Sequence, residues 1–308
     1  MHVALHDDEI TADAALVTRL LADQAPAFAG MPVKQLETDG TDNWMFRLGD
    51  TASDGPVVRL PRRPSAAAKI IKECAILPRF VSLPLNTPKP LFQGQPSASF
   101  DYPWSVLEWL PGETPSALWL ATANGTGTAL GQFLRALQAQ APLGGPLSGS
   151  ANNNRGIALA GLDATVRGTL GRLSEADLGV EAATVLGLWQ DATAAPVYAD
   201  KPKWLHADLH AENVLAEGGQ LTAILDFGLA GRGDPACELI TGWADLDATN
   251  RAAFFSAVVR DKAMWRRGRG WATYSAVITL AYYQGRHPRL EQRARRSLMA
   301  MLNKDVPW

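Results

Sequence analysis

The stretch that decides the fold is His206-Ala207-Asp208-Leu209-His210-Ala211-Glu212-Asn213, which is followed thirteen residues after Asn213 by Asp226-Phe227-Gly228. Residues 214–216 and 221–225 are apolar and β-like, and they flank the turn Glu217-Gly218-Gly219-Gln220, a pattern typical of a β-hairpin. Folding the chain at the two glycines sets Asn213 and Asp226 near each other at the open end of the hairpin. Both residues would then lie beside Asp208.

The side chains of this stretch indicate a reaction type. An amide oxygen from Asn213 and a carboxylate from Asp226 are hard ligands of the kind that suits Mg²⁺, which is usually held by one or two carboxylates, water and substrate phosphates. The remaining carboxylate, Asp208, is able to orient and deprotonate a hydroxyl. These are the parts of a phosphoryl-transfer site.

Composition sets broad limits on the class of protein. The chain has 308 residues, of which 47% are apolar, and this suffices for one large or two ordinary domains with real cores. The first residues are acidic rather than basic and apolar, and no apolar run approaches the length of a membrane span, so we expect a cytoplasmic protein without a membrane partner. Cys74 and Cys237 lack metal-ligand spacing and are expected to be reduced thiols.

Charge is distributed unevenly along the chain. The net charge is -2, but residues 251–308 contain 12 Lys and Arg against 3 Asp and Glu. A basic end is able to bind nucleic acid or an anionic surface. No nucleic-acid motif accompanies it, so we predict arginines on the solvated faces of terminal helices and no nucleic-acid partner.

The pattern of residues changes from strands to helices near Leu110-Pro111-Gly112. Before this joint, a helix over 11–24 precedes strands over 33–38, 44–48, 57–60, 89–93 and 104–109, with a helix over 65–80 capped by Ser65 inserted. After it, helices are predicted near 115–123, 126–140, 162–174, 181–193, 235–244, 247–261, 270–284 and 289–303. The sequence thus predicts an α+β fold with domains 1–109 and 110–308, the first built on an antiparallel five-stranded sheet and the second larger and mainly helical.

The two motifs match the H-R-D-x-x-x-x-N and D-F-G signatures of protein kinases. With Gly233-Asp234-Pro235-Ala236 behind them, the chain resembles the aminoglycoside phosphotransferase family, and three segments resemble its bacterial branch that includes macrolide phosphotransferases. Those segments begin at Val57, Tyr102 and Asn154. The resemblance spans roughly residues 36–240 and implies a protein-kinase-like two-lobed fold.

The resemblance also implies roles for individual residues. Asp208 would be the catalytic base, and Asn213 and Asp226 would bind Mg²⁺ on the phosphates of ATP or GTP. His206 is expected to brace the loop by hydrogen bonding. His210 either braces the loop or touches substrate.

On the nucleotide side, Arg59 stands where kinases carry a phosphate-contacting Lys, and Glu73 stands where its partner carboxylate belongs. Pairing of these two residues is a hypothesis, because Arg and Lys are not interchangeable, and the alternative is a surface arginine at a strand end with Arg62 and Arg63. The turn with Gly40 and Thr41 is a candidate lid over the phosphates, although it has one glycine where protein kinases have three, and an ordinary hairpin turn is the alternative. The backbone from Glu108 to Leu110 occupies the position that pairs with a purine edge.

The acceptor is less well defined by the sequence. Asp234 and Glu238, with Asp245 and Asp247, are candidates for a carboxylate wall around a polycation, but helix capping explains several of them as well. Trp243 is a candidate wall of a broad apolar pocket, with core packing as the alternative. We expect a small-molecule O-phosphotransferase acting on an antibiotic-like aminoglycoside or macrolide, consistent with a role in antibiotic resistance. The alternatives are a metabolic kinase of a sugar, choline or an amino-acid alcohol, and a nucleotide-binding pseudokinase.

Overall fold

The computed structural model describes residues 9–36, 42–50 and 55–302, and these residues form two compact units. The N-terminal unit contains the chain up to Val81 together with Asn86–Gly112 and Ala223–Gly228. The C-terminal unit contains Ser82–Leu85, Glu113–Thr222 and the chain from Leu229 onward. No helix in the described ranges is long and apolar enough to cross a membrane.

The N-terminal unit is built on a five-stranded antiparallel sheet. Its strands are β1 (Val33–Gln35), β2 (Asn43–Leu48), β3 (Val57–Pro61), β4 (Pro90–Gly94) and β5 (Trp104–Leu107), in the spatial order β1-β2-β3-β5-β4. The central strand β3 is buried along its whole length, and its Val58 lies opposite Phe46 on one side and Val106 on the other. These apolar cross-strand contacts stabilise the sheet. The predicted antiparallel five-stranded sheet is confirmed.

Two helices accompany this sheet. Helix α1 (Ala14–Gln24) is capped by Asp13, whose carboxylate accepts a hydrogen bond from the N–H of Leu16, and its buried leucines pack into the core of the sheet. Helix α2 (Pro64–Ile76) continues into a 3₁₀ turn, Leu77–Arg79. The prediction that Ser65 caps α2 is wrong: Arg63 is the extended residue before the helix, and Pro64 begins it, because the fixed φ of proline suits the first helical position.

Helices make up most of the C-terminal unit. They are α3 (Ala117–Thr122), α4 (Thr126–Ala139), α5 (Asp163–Leu170), α6 (Glu175–Leu178), α7 (Ala182–Thr193), α8 (Ile240–Asp245), α9 (Ala248–Val258), α10 (Lys262–Tyr283) and α11 (Pro288–Leu302). The predicted succession of a small antiparallel sheet and a mainly helical region is therefore correct.

Helix α10 starts eight residues earlier than predicted. Gly268 and Gly270 suggest a break in the sequence, because glycine disfavours helices. In the folded unit they serve close packing: a Cβ on Gly268 would lie 2.4 Å from a methyl of Leu239, and one on Gly270 would lie 2.5 Å from a methyl of Leu159. The helix is capped at its true start by Asp261, which accepts from the N–H of Met264.

Two short pairs of strands position the segments around residue 206. Strand β6 (Lys203–Leu205) pairs antiparallel with β9 (Gly231–Gly233), a pairing that the sequence did not indicate. Strands β7 (Val214–Glu217) and β8 (Gln220–Ile224) form the predicted hairpin. Gly218 and Gly219 both have positive φ, as the tight turn between these strands requires.

Candidate active site

A buried carboxylate holds the start of the loop formed by residues 206–213, which follows β6. Glu238 Oε1 accepts hydrogen bonds from the backbone N–H of His206 at 2.5 Å and of Ala207 at 3.0 Å. Glu238 belongs to the 3₁₀ helix Pro235–Leu239, whose start is fixed by a hydrogen bond from the N–H of Ala236 to the carboxylate of Asp234. Burial raises the pKa of Glu238 to about 7, although its two backbone hydrogen bonds and the charge of Arg155 act in the opposite direction.

The backbone then turns through an unfavourable conformation at Ala207. Its φ of +69° lies in the left-handed region, which costs a residue with a Cβ about 1–2 kcal/mol. The N–H of Asp208 donates to Nδ1 of the fully buried His206 at 3.3 Å. This contact is in keeping with the bracing role predicted for His206. The turn fixes the backbone of Asp208.

The side chain of Asp208 is 37% exposed, so a substrate hydroxyl is able to reach it. His210 Nε2 lies 3.8 Å from Asp208 Oδ2. Loss of hydration opposes ionisation of Asp208, but its interactions with His210, Arg155 and His206 outweigh this effect and lower the pKa of the carboxyl group. Asp208 is therefore a carboxylate at neutral pH.

Asn213 is attached to the same loop through its amide nitrogen. Nδ2 donates to the carbonyl oxygen of Asp208 at 2.8 Å, so Oδ1 points away from that carbonyl group. His210 Nδ1 accepts from the N–H of Glu212 at 3.3 Å, and His210 Nε2 lies 3.2 Å from Asn213 Nδ2. Of the two roles considered for His210, these contacts favour bracing of the loop.

In the N-terminal unit, Arg59 on β3 and Glu73 on α2 form a buried ion pair. Arg59 Nη1 lies 2.8 Å from Glu73 Oε2, so the hypothesised pair is present. Burial opposes the charge of Arg59, but the carboxylates of Glu73 and Asp226 outweigh it and raise the pKa of the guanidinium. Glu73 Oε1 also accepts from the N–H of Phe227 at 2.7 Å. One carboxylate thus joins the central strand, α2 and the Asp226-Phe227-Gly228 segment.

Asp226 itself adopts a left-handed backbone conformation with φ +55°. Asp tolerates this region better than most residues, because its short polar side chain can bond locally. Here Asp226 Oδ1 accepts from the N–H of Gly228 at 2.9 Å. A side chain at residue 228 would crowd this contact, since a Cβ there would lie 2.8 Å from the same oxygen.

Comparison with known proteins places the chain in a family. A sequence profile described as the phosphotransferase enzyme family matches residues 33–271. The chain belongs to this family. It is therefore a phosphotransferase, a kinase that transfers phosphate to alcohol groups. No curated protein matches the chain significantly in sequence.

Solved structures of phosphotransferases share its fold. The GDP and kanamycin complex of APH(2")-IIia has a TM-score of 0.68 and 20% identity, covering 92% of this chain and 97% of that one. The macrolide 2'-phosphotransferase MphH from Brachybacterium faecium has a TM-score of 0.57 and 18% identity, covering 93% and 97%. The streptomycin-ATP complex of APH(2")-IIa has a TM-score of 0.60 and 16% identity, covering 90% and 93%. At these identities the likeness shows the fold alone.

Of the residues predicted to contact nucleotide in this phosphotransferase, Gly40 and Thr41 lie outside the described residues. Glu108 follows β5, and its backbone N–H donates to the carbonyl oxygen of Lys89 at 2.9 Å, so this group is already engaged. Leu110 is partly exposed.

The three candidate acceptor-binding residues are buried and bonded within the protein. Asp234 forms an ion pair with Arg267 at 2.7 Å, and Glu238 holds the 206–213 loop. Trp243 packs against the rings of Phe255 and Trp265. These contacts give each residue a structural role, and Trp243 follows the core-packing alternative.

Sequence reasoning missed the charges around the two motifs. The charge of Arg155, in the loop between α4 and α5, lowers the pKa of both Asp208 and Glu238. On α2, burial lowers the pKa of Lys72 to about 8, although Glu73 and Asp226 counteract this effect. The sequence signal that could have identified Lys72 was its position directly before Glu73 in the predicted helix.

Proposed function

We propose that this phosphotransferase moves the γ-phosphoryl group of ATP or GTP to a hydroxyl of an antibiotic-like molecule of the aminoglycoside or macrolide type. The observation that carries the proposal is Asp208, an ionised and partly exposed carboxylate on a loop held by the buried Glu238. A fixed carboxylate of this kind holds a hydroxyl in one orientation, which is a large part of catalysis in phosphoryl transfer.

The lowered pKa of Asp208 bears on the timing of proton transfer. A weakly basic carboxylate removes little proton density from an alcohol in the ground state. In the loose transition state described for phosphoryl transfer, the attacking hydroxyl acquires acidity late. Asp208 is thus proposed to accept a hydrogen bond from the alcohol first. It then takes the proton onto a carboxylate oxygen as the new O–P bond forms and the bond from the γ-phosphorus to the bridging oxygen breaks, which releases the nucleoside diphosphate.

Asn213 and Asp226 are proposed to hold Mg²⁺, and their donor atoms fit this role. Asn213 uses its nitrogen within the loop, which leaves Oδ1 as a possible ligand. Asp226 uses Oδ1 for the N–H of Gly228, which leaves Oδ2. One amide oxygen and one carboxylate are typical of a magnesium site completed by phosphates and water. When bound, the ion supplies neutralisation of phosphate charge.

The N-terminal residues 1–109 are proposed to serve the nucleotide, and residues 110–308 to serve catalysis and the acceptor. Arg59 keeps guanidinium N–H groups beyond the one that pairs with Glu73, and a fork of donors suits phosphate oxygens. Gly40 and Thr41, with the backbone of Glu108 and Leu110, complete the proposed nucleotide contacts.

The test is a turnover assay with ATP and with GTP over a panel of alcohols, with mass detection of the phosphorylated product. The panel contains kanamycin, streptomycin, a macrolide, and sugars, choline and amino-acid alcohols as metabolic acceptors. We expect product from an antibiotic-like acceptor, and product only from a metabolic alcohol would refute the proposed substrate class. Asp208→Asn should lower turnover by about 10²- to 10⁴-fold, because it removes the charged acceptor of the hydrogen bond.

The matched control is Asp200→Asn, which removes an exposed carboxylate elsewhere in the C-terminal unit. This variant should retain turnover. Circular dichroism should show that both variants are folded. A folded Asp208→Asn variant with undiminished turnover would refute the assignment of Asp208.

A further inference from the structure

The carboxylates that the sequence offers for a polycationic acceptor are used inside the protein. Asp234 pairs with Arg267 at 2.7 Å, and Glu238 accepts two backbone N–H groups. Asp247 caps α9 by accepting from the N–H of Asn250 at 2.8 Å. In each of these three residues, at least one carboxylate oxygen is engaged within the protein. The fourth candidate carboxylate, Asp245, is bound by Arg293.

Asp245, at the end of α8, forms a two-pronged ion pair with Arg293 on α11. Arg293 Nε donates to Oδ1 at 2.7 Å, and Nη2 donates to Oδ2 at 2.6 Å. Both carboxylate oxygens thereby accept hydrogen bonds from one guanidinium, whose planar fork of donors is a property of arginine alone. The Asp245 side chain is only 4% exposed, whereas that of Arg293 is 23% exposed. The carboxylate of Asp245 is therefore shielded from solvent, while the side chain of Arg293 is partly exposed.

The charge of Arg293 also acts on the 206–213 loop. Burial opposes its ionisation, but Asp245, Asp208 and Glu212 favour the charged form and raise the pKa of Arg293. Geometry also ties this pair to the loop, because Thr241, one turn before Asp245 on α8, donates its hydroxyl to the carbonyl oxygen of Leu209 at 2.8 Å.

We propose that Arg293 is a specificity-determining residue: by covering Asp245 on α8, the helix bonded to the loop that carries Asp208, it selects a neutral, singly charged or anionic alcohol over a polycationic one. This inference rests on the proposed phosphotransferase function and narrows its substrate class. Coulomb repulsion between fixed and incoming charges grows with the charge of the acceptor, so the effect should be largest for an aminoglycoside.

The experiment compares kanamycin with uncharged sugars and a macrolide in wild type, Arg293→Gln and Arg296→Gln. Arg296 is an exposed residue of α11, so its replacement removes the same charge from the same helix. Arg293→Gln uncovers Asp245 and should raise kcat/KM for kanamycin relative to the uncharged acceptors on the order of tenfold. Arg296→Gln should leave this ratio within about twofold of wild type. Arg293→Lys, which keeps the charge, should retain the wild-type preference.

Equal ratios in the two glutamine variants would overturn the proposal, and so would a wild-type preference for kanamycin. If Arg293→Gln does not fold, Asp245→Asn leaves the charge of Arg293 uncompensated and should lower kcat/KM for kanamycin relative to the uncharged acceptors; an unchanged ratio would overturn the proposal. If no acceptor is phosphorylated, the proposed function fails by itself. Calorimetry then tests the role of Arg293 by itself. Kanamycin should bind Arg293→Gln more tightly than wild type, and equal affinities would overturn the proposal.

Discussion

Removal of the charge of Glu73 should destabilise the N-terminal unit strongly, because it leaves the buried guanidinium of Arg59 without its counter-ion. The two groups lie 2.8 Å apart and both are buried. Breaking a buried pair by removing one partner costs about 3–5 kcal/mol. Glu73→Gln keeps a carbonyl oxygen for the N–H of Phe227, so the loss measures the charge. Glu73→Ala also orphans that N–H, and should cost about 1–3 kcal/mol more.

The double variant Arg59→Met with Glu73→Gln separates charge from packing. Both buried charges are absent, and replacement of a buried pair by apolar groups is often close to neutral. Its stability should therefore exceed that of Glu73→Gln, giving a coupling energy of at least about 2 kcal/mol in a double-mutant cycle. The assay is urea unfolding, together with hydrogen exchange of peptides from β3 and α2.

An exposed ion pair in the same unit provides the control. Lys89 Nζ lies 3.4 Å from Glu108 Oε2, and Lys89→Gln should cost less than about 1 kcal/mol. The reasoning is refuted if Glu73→Gln costs no more than Lys89→Gln, or if the effects of Arg59→Met and Glu73→Gln simply add. The nucleotide role of Arg59 is a separate question: an unchanged nucleotide KM and turnover in Arg59→Ala would refute it.

Three further predictions concern the C-terminal unit. Ala207→Gly should raise the free energy of unfolding by about 0.5–1 kcal/mol in urea melts, because relief of the strain of the left-handed backbone exceeds the entropy cost of glycine. A loss of stability would show that residue 207 is not strained. Gly156→Ala should cost about 2 kcal/mol or more by thermal unfolding, because its φ is +82° and a Cβ would lie 2.5 Å from a methyl of Leu205. The control Gly168→Ala should stabilise the protein by up to about 1 kcal/mol, because residue 168 has a helical backbone and open space around it. Similar effects at both sites would refute the steric argument. The pKa of Glu238 is raised from 4.5 to about 7, so its contribution to stability is fully present below pH 4.5 and is lost as the pH rises through about 7. Urea melts from pH 4 to 8 should show this fall in the free energy of unfolding in wild type and not in Glu238→Gln. An identical pH dependence in the two proteins would refute the prediction.

The sequence predicts those features that depend on local patterns. The five strands follow from short β-like runs between turns, and the hairpin β7–β8 follows from Gly218 and Gly219. Because residues near one another in sequence carry these signals, their spacing suffices. The pairing of Arg59 with Glu73 was accessible through the resemblance to kinases, which fixes which strand and helix must meet.

Contacts between distant segments were not accessible in the same way. Glu238 bonds to His206 across 32 residues, and nothing in either motif alone states that this carboxylate points at the loop backbone. The start of α10 was missed for a related reason. Gly268 disfavours a helix locally, and only its approach to Leu239, on another helix, explains why glycine is needed there.

The charge asymmetry along the chain shows how sequence position and spatial position differ. The basic residues after position 250 were expected on solvated faces, but Arg267 is buried and Arg293 is largely covered. Their partners, Asp234 and Asp245, belong to the acidic part of the chain. Each of these two ion pairs thus joins a basic residue of the last segment to an acidic residue that was a candidate for binding a polycationic acceptor. The same ion pairs that explain the composition therefore argue for an acceptor that does not depend on many positive charges.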